Sequence, residues 1–475
     1  MSEWLSNDAW ASEQLASANF GHGARVKRAI VMLARSVQSP AGRLSDVFTT
    51  PAELQGAYDF VEGEVRPAAM TTAFAEATIR AIGDATSCFV PFDGSSLTLT
   101  DRTGKKWIRL RREAEAADTR AQVIDAIGVA MDGTPVGLPD LQWWARGSKA
   151  RGSRYVRRRS GQTETRHWVQ VVDRVSDLFE SNAPHCTPWF LGDRECDNTE
   201  ILQVAAQPGR AFTIRSVQNR PVRLPHGRRR LLRSHMKRRP VCGTYVVNVP
   251  AGPHRRARRS VMEMRFADVV LDLPDRATNE RIPFPVRVVW AHERRPPRGE
   301  KPLDWMLLTN RDVTTFDEAR AIVFSYCQRW RVEDFHKSWK SAHCNVEDTQ
   351  LREMDHVLRW ATMLAAIAMR VERLKPLART QPDLPADIAL SQIEIEALRI
   401  AKTRIKKCTE TIPTTGMPSI GQAVRWIAEL GGYTGKSSGG PPGSITIARG
   451  FERLLIWADA FAAVHEQKPR RKSDQ

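Results

Sequence analysis

No stretch of this chain is long and apolar enough to cross a bilayer. The longest uncharged run of apolar character, Trp360 to Met369, is closed off by Arg359 and Arg370. A spanning helix needs roughly 20 such residues. The opening residues Met1 to Trp10 carry charges and no apolar segment of the secretory kind, so a cytoplasmic, reducing compartment is expected. The seven cysteines (Cys88, Cys186, Cys196, Cys242, Cys327, Cys344, Cys408) are scattered, with no Cys-x-x-Cys pair. An odd and dispersed set of this kind indicates neither a disulfide framework nor a structural zinc site. His185 and Cys186 followed by Cys196 lack a fourth ligand at zinc spacing. No internal repeat is visible. Acidic residues are also scarce against basic ones, 54 against 72, which leaves a net charge of +18 and an isoelectric point near 10. The excess runs along the whole length, so the partner implied is nucleic acid rather than membrane.

A chain of 475 residues has material for two or three domains and a substantial core. Residues 1 to about 70 read as helical. Asp8 can cap a first helix, and Ala24 to Val37 sets Val26, Ile30, Leu33 and Val37 on one side with Arg25, Arg28 and Arg35 on another, either a DNA-reading face or a solvated one. From Ser87 the texture changes. Cys88 to Asp93 and Pro188 to Asp193 are short apolar runs that each end in a carboxylate. Val123 to Trp144 reads as two strands joined at Asp132-Gly133, a strong hairpin signal. His167 to Ser181 is helical in pattern, so the region from 71 to 375 is expected to be an α/β core. Within it, residues from about 205 to 300 look like a β-rich insertion of short strands, including Val241 to Val249 and Phe284 to Glu293. Arginine-dense runs at Gly227 to Arg239 and His254 to Ser260 lie in the same insertion, as phosphate contacts or as flexible loops. Past Glu333 the pattern is helical through Leu377, and 376–475 holds further helices around Ile393 to Ile405, Ile420 to Leu430 and Phe451 to His465. Ser437 to Gly443 reads as a loop, and the residues from Lys468 onward as a polar tail.

Tyr326, Arg329, Glu333 and Lys340 fall at offsets of 0, 3, 7 and 14. On a continuous helix they share a stripe within roughly 60° of arc. Arg329 and Glu333 alone form an ordinary i,i+4 surface pair. Phe324, Trp330, Phe335 and Trp339 make most of the remaining circumference aromatic, so burial of this helix is expected, and buried charges need a reason. Asp93, Asp193 and Glu333 form a three-carboxylate set. Converging carboxylates stay ionised most readily around divalent metal, and hard oxygen ligands favour Mg²⁺ or Mn²⁺. Taken singly, either strand-end aspartate is equally a turn or cap residue.

These motifs resemble those of the Tn-five-like DDE transposases of insertion-sequence family four. Tyr326, Arg329, Glu333 and Lys340 match every position of the family's Y-x₂-R-x₃-E-x₆-K signature, and Arg329 to Lys340 is similar to its helix throughout. Asp193 to Asp197 resembles its D-R-E-x-D motif, Phe92 to Leu97 stands at its first aspartate, Gly56 to Phe60 is similar to its G-A-Y-R-F, and Ala423 to Tyr433 to its closing domain. The resemblance implies a ribonuclease H-like core (71–375) with the β-rich insertion, an N-terminal domain (1–70) that binds transposon ends, and a C-terminal helical domain (376–475) that dimerises.

It further implies two Mg²⁺ ions per site, for which Mn²⁺ can substitute, held by Asp93, Asp193 and Glu333 as catalytic and metal-ligating residues. DNA contacts are implied at Tyr326, Arg329, Lys340, His336, Lys337, Trp305, Arg215, Arg25 and Arg28, with Trp305 stacking on a flipped base and Arg215 near the DNA hairpin. The partners implied are double-stranded DNA, as transposon ends and target, and a second protomer in a synaptic complex, with a nucleoid-associated location. Asp59 stands where the family has an arginine, and Gln38 to Gly42 lacks its lysine-tyrosine, so a different terminal sequence is expected. A catalytically silent DNA-end-binding regulator and a host nuclease on the same core are the alternatives.

Overall fold

The computed structural model describes residues 7–100, 120–144, 164–249, 256–275, 278, 280–404, 416–435 and 441–466. Expectations for Cys408, for the runs starting at His254 and Ser437 and for the tail from Lys468 fall wholly or partly outside them. The described strands are β1 (Ser87–Thr98), β2 (Arg120–Val129), β3 (Pro135–Trp144), β4 (Thr187–Gly192), β5 (Ala211–Arg215), β6 (Pro221–Arg223), β7 (Arg229–Leu231), β8 (Gly243–Val249), β9 (Arg258–Pro274), β10 (Arg281–Glu293) and β11 (Asp304–Thr309). The chain is mixed α/β and divides into two compact units. A sheet unit comprises Asp84–Asp93 and Lys149–Arg331, and a helical unit comprises Met1–Gly83, Gly94–Ser148 and Val332–Gln475.

In the sheet unit the strands run in the order β1-β4-β5-β11-β10-β9-β6-β7, with β8 paired to β9. The β1/β4 and β4/β5 pairs are parallel, and the others are antiparallel. Cys88 to Phe92 and Pro188 to Gly192 are buried without alternation, as interior parallel strands covered on both faces must be. Trp168 of the helix Thr165–Asn182 covers one face, its ring 5.8 Å from that of Phe92. The helix Phe316–Gln328 also packs on this sheet, with Phe324 6.3 Å from Phe89 and Ser325 Oγ 3.2 Å from Thr213 Oγ1. It starts at a capping box: Thr315 accepts from the Glu318 amide while the Glu318 carboxylate accepts from the Thr315 amide.

In the region read as a β-rich insertion of short strands, β6 and β7 have three residues each and β8 seven, while two strands are long. β9 and β10 are 17 and 13 residues long. β11 bonds to β10 on one side and β5 on the other, so these strands extend the same sheet.

The helical unit is organised on the helix Met354–Thr380, most of whose residues are buried. Arg359 donates to the Val61 and Val65 carbonyls at 2.6 and 2.5 Å, and Trp360 Nε1 to the Gly42 carbonyl at 3.0 Å, which ties the N-terminal helices to it. Trp143 Nε1 of β3 donates to Thr362 Oγ1 at 2.9 Å. The β2/β3 hairpin turns where expected: Asp132 Oδ1 accepts from the Thr134 amide at 2.8 Å and Gly133 takes φ +91°. The helices Gln392–Thr403, Ile420–Leu430 and Ser444–Glu466 close a second core around Leu398, Trp426 and Phe451. A Cβ at Gly450 would stand 1.7 Å from the Ile427 carbonyl oxygen, so the last two helices approach at backbone distance.

The continuous helix expected from Glu333 to Leu377 is interrupted. The helix Trp330–Lys337 passes into a π-turn, Ser338–Ala342, in which the His343 and Cys344 amides both reach the Ser338 carbonyl. Asn345 then adopts a left-handed φ of +48°, which no α-helix can carry.

Candidate active site

In the sheet unit, β1 and β4 pair at a constant offset, from Ser87 opposite Thr187 to Pro91 opposite Leu191. The pairing ends at Pro91 and Leu191; Asp93 lies two residues further on, inside β1 rather than at its expected end, and Asp193 directly follows the last residue of β4. Asp193 Oδ1 accepts from the Glu195 amide at 2.6 Å, which fixes the turn after β4. Cys196 is fully buried against Gly192. Its thiol is pushed well above the ordinary range by burial first, then by the charges of Asp193 and Asp93, so both carboxylates act on one point. Arg329, its side chain 6% exposed, places Nη1 3.4 Å from Asp93 Oδ2 and its guanidinium 5.0 Å from the Trp330 ring centre. The surface-pair reading of Arg329 is thereby excluded.

Tyr326 lies three residues before Arg329 and is buried. Burial raises its phenol above the usual value, while Arg215 and Arg329 oppose that shift through their charges. The Trp305 ring lies 6.3 Å from the Tyr326 ring, Arg215 Nη2 donates to the Asp304 carbonyl at 2.9 Å and the Arg215 charge acts on the Tyr326 phenol, so the three are neighbours. Asp304 itself accepts from Trp290 Nε1 and Arg233 Nη1, both at 2.7 Å. Its burial favours the neutral acid, and these two bonds outweigh that and hold the carboxyl below its ordinary range.

The sequence reading overlooked the role of Asp197. Its side chain is fully buried and ion-paired with Arg220, and Oδ2 accepts from the Val217 and Gln218 amides at 2.7 and 2.9 Å. It therefore shapes the chain that leaves β5 just after Arg215. The only sequence signal for it was the second aspartate of the D-R-E-x-D stretch.

In the helical unit, Glu333, His336, Lys337, Lys340, Ser341 and Glu347 line an open cleft of about 410 Å³. Lys340 sits in the π-turn rather than on the expected straight helix. Its Nζ lies 3.2 Å from Ser95 Oγ and 3.8 Å from Glu347 Oε1, and Glu347 also accepts from the Thr98 amide at 2.8 Å. His336 Nε2 is 2.6 Å from Asp125 Oδ1 on β2. Asp334 Oδ2 meets Lys375 Nζ at 2.5 Å, and Trp339 Nε1 reaches the Ala361 carbonyl at 2.9 Å, so the helix is anchored to the Met354–Thr380 helix. Asp125 and Glu347 were also missed; Asp125 is an acid inside an otherwise apolar strand run. On the helix Gly23–Gln38, Arg25 donates to the Phe20 carbonyl and stands 3.9 Å from Glu64. Arg28 lies over Gly56, where a Cβ would come within 2.5 Å of its guanidinium.

The acids of the expected triad supply only hard oxygen donors, a set suited to divalent Mg²⁺ or Mn²⁺. Among the described residues no three His, Cys, Asp or Glu side chains are grouped closely enough to hold an ion. No helix of the described residues is long and apolar enough to cross a membrane.

The sheet unit holds Asp93 and Asp193 around Cys196 with a buried arginine on Asp93, and the helical unit has a cleft lined by charges of both signs. Residues 123–370 match the family described as transposase DDE domain, residues 366–466 the transposase Tn5 dimerisation domain, and residues 7–64 the transposase DNA-binding family. The first match spans more than half of the sequence, and the chain belongs to the Tn5-like DDE transposases, with DNA-binding and dimerisation domains on either side of the catalytic one.

Proposed function

We propose that this protein is a cut-and-paste transposase that binds terminal inverted repeats, releases each end through a DNA hairpin and joins the freed 3′ ends to target DNA. Asp93 and Asp193, whose charges both act on the buried Cys196, together with the buried Arg329 against Asp93, support this reading. Asp93, Asp193 and Glu333 would hold divalent cations, Mg²⁺ with Mn²⁺ as substitute and two per site, which supply charge stabilisation at phosphorus and activate the attacking oxygen. A water oxygen attacks the end phosphodiester and frees a 3′-hydroxyl. That hydroxyl attacks the opposite strand to close a hairpin, a second water opens it, and the 3′-hydroxyl then attacks target DNA, one P–O bond breaking for each one formed.

Arg329 and Lys340 meet phosphate oxygens, with His336 and Lys337 beside them. Trp305 stacks on the unpaired base next to Tyr326 and Arg215, returning part of the few kcal/mol that unstacking costs. Residues 1–70 hold the transposon end through Arg25 and Arg28, residues 71–375 perform the chemistry, and residues 376–475 pair two protomers in the synaptic complex. A nucleoid-associated location follows from that substrate.

The test is Glu333→Gln on a plasmid carrying the inverted repeats that flank the gene. Mg²⁺-dependent cleavage should fall on the order of a thousandfold, with DNA binding retained. Undiminished cleavage by the variant would overturn the site. Joined product from pre-cleaved ends separates a transposase from a nuclease on the same core.

A further inference from the structure

Asp125 is out of place for a residue that serves stability. It sits in β2 between Ile124 and Ala126, both buried, and its own side chain is 0% exposed. Oδ1 meets His336 Nε2 at 2.6 Å, and Oδ2 meets no hydrogen-bond partner among the described residues. A half-satisfied carboxylate at this depth costs more than an apolar residue of the same size, so its value lies in what it holds. What it holds is an imidazole that lines the Glu333 cleft together with Lys337 and Lys340.

We propose that Asp125 is a positioning residue for the transposase reaction: by accepting from Nε2–H it fixes the tautomer and ring orientation of His336 in the Glu333 cleft, so that Nδ1 is left as an acceptor for a hydroxyl or water at the DNA in a set pose. The inference rests on the reading of that cleft as part of the active site. Neither a metal nor a change of protonation is required. The proton stays on Nε2, whose hydrogen bond the buried carboxylate accepts, and that bond sets which ring nitrogen is the acceptor. His336 is also tied through its helix to Lys375 by way of Asp334, so the helix keeps its place when Asp125 is changed. This separates orientation of the ring from anchoring of the helix.

Two variants distinguish positioning from structure. Asp125→Leu removes the acceptor and fills the site, whereas Asp125→Asn keeps an acceptor oxygen for Nε2–H. With the full-length protein and the plasmid bearing its flanking repeats, Asp125→Leu should lower single-turnover cleavage at least tenfold, with thermal stability unchanged or higher and the amount of bound DNA altered less than threefold. Asp125→Asn should stay within threefold of the parent. The double variant Asp125→Leu/His336→Gln should be no slower than His336→Gln alone.

Long-range ¹H–¹⁵N spectra of the DNA-free protein, with the His336 signals assigned through His336→Gln, should show the Nε2–H tautomer in the parent and its loss in Asp125→Leu. Full cleavage by Asp125→Leu, losses that multiply in the double variant, or an Nδ1–H tautomer in the parent would each overturn the proposal. The spectrum reads the pair without DNA. A failure of the Glu333 reading is therefore distinguishable: Glu333→Gln would cleave while the tautomer still followed Asp125.

Discussion

The acids Asp93, Asp197 and Asp304 of the sheet unit and those lining the Glu333 cleft of the helical unit are handled differently. In the sheet unit Asp93 faces a buried arginine, Asp197 is fully enclosed by Arg220 and backbone amides, and Asp304 is bonded by a tryptophan and an arginine. In the helical unit Glu333 lines an open cleft whose cations sit at longer range, as in the 3.8 Å approach of Lys340 to Glu347. Buried pairs in a low-dielectric interior are rigid and hardly screened by salt, while cleft charges are solvated and available to a ligand. These three acids of the sheet unit spend their charge on fixing geometry, whereas the Glu333 cleft keeps charge accessible, although the helical unit also buries Asp125 against His336.

Breaking one charge pair in each unit tests that contrast most strongly. Asp197→Ala leaves Arg220 buried without its carboxylate and the Val217 and Gln218 amides without their acceptor. A loss of about 3–5 kcal/mol is expected from such a lesion. Lys340→Ala, by contrast, removes a partly exposed cation at 3.8 Å and should cost less than about 1 kcal/mol. Urea unfolding of the two variants measures both. Equal losses would mean that the two units do not differ in how they hold charge.

A titration sharpens the comparison on the helical side. His343 follows the π-turn that carries Lys340, and it is fully buried. Burial pulls its pKa down to about 3, with the Arg370 charge adding to the effect. Glu452 lies 3.9 Å from Nδ1, yet burial dominates and the ring is neutral. The sign follows from the unfolded chain, whose histidine takes up a proton near pH 6.5. Between that value and about 3 the unfolded state binds the extra proton, so stability falls as pH falls, by up to about 1.4 kcal/mol per pH unit for this group. His343→Leu should flatten the loss between pH 6.5 and 5. Parallel stability profiles for parent and variant would show that His343 is not the group responsible.

Much of the site could be read from residue order, because its members lie where local rules act. An apolar run ending in an acid marked β1 and β4, with Asp193 at the strand end and Asp93 inside its strand, and Asp132-Gly133 gives a hairpin, from a few neighbouring residues each. What escaped was set by contacts distant in sequence. Asp125 meets His336 across 211 residues, and Asp197 meets Arg220 across 23. No periodicity encodes either. The merging of the 205–300 strands into the main sheet depends on β11 finding β5, again a long-range pairing. The break after Lys337 was hidden because Ser338 to Ala342 is as compatible with α-helix as with a π-turn, and only the buried Trp339 and the left-handed Asn345 decide it.

The smallest effect expected lies at the start of the helix that delivers Tyr326 and Arg329. Thr315 Oγ1 accepts from the Glu318 amide at 3.2 Å and closes the capping box. Thr315→Ala removes that acceptor and should destabilise by about 1 kcal/mol, within the range of N-cap losses. Because Arg329 is also held at the far end by Asp93, fraying of the first turn should leave the Arg329–Asp93 pair intact and cleavage within about twofold of the parent. Thr315→Ser should recover most of the stability, since serine offers the same acceptor. A cleavage defect larger than the stability loss would show that the sheet unit holds Arg329 less firmly than its burial implies, and would narrow the difference between the two units.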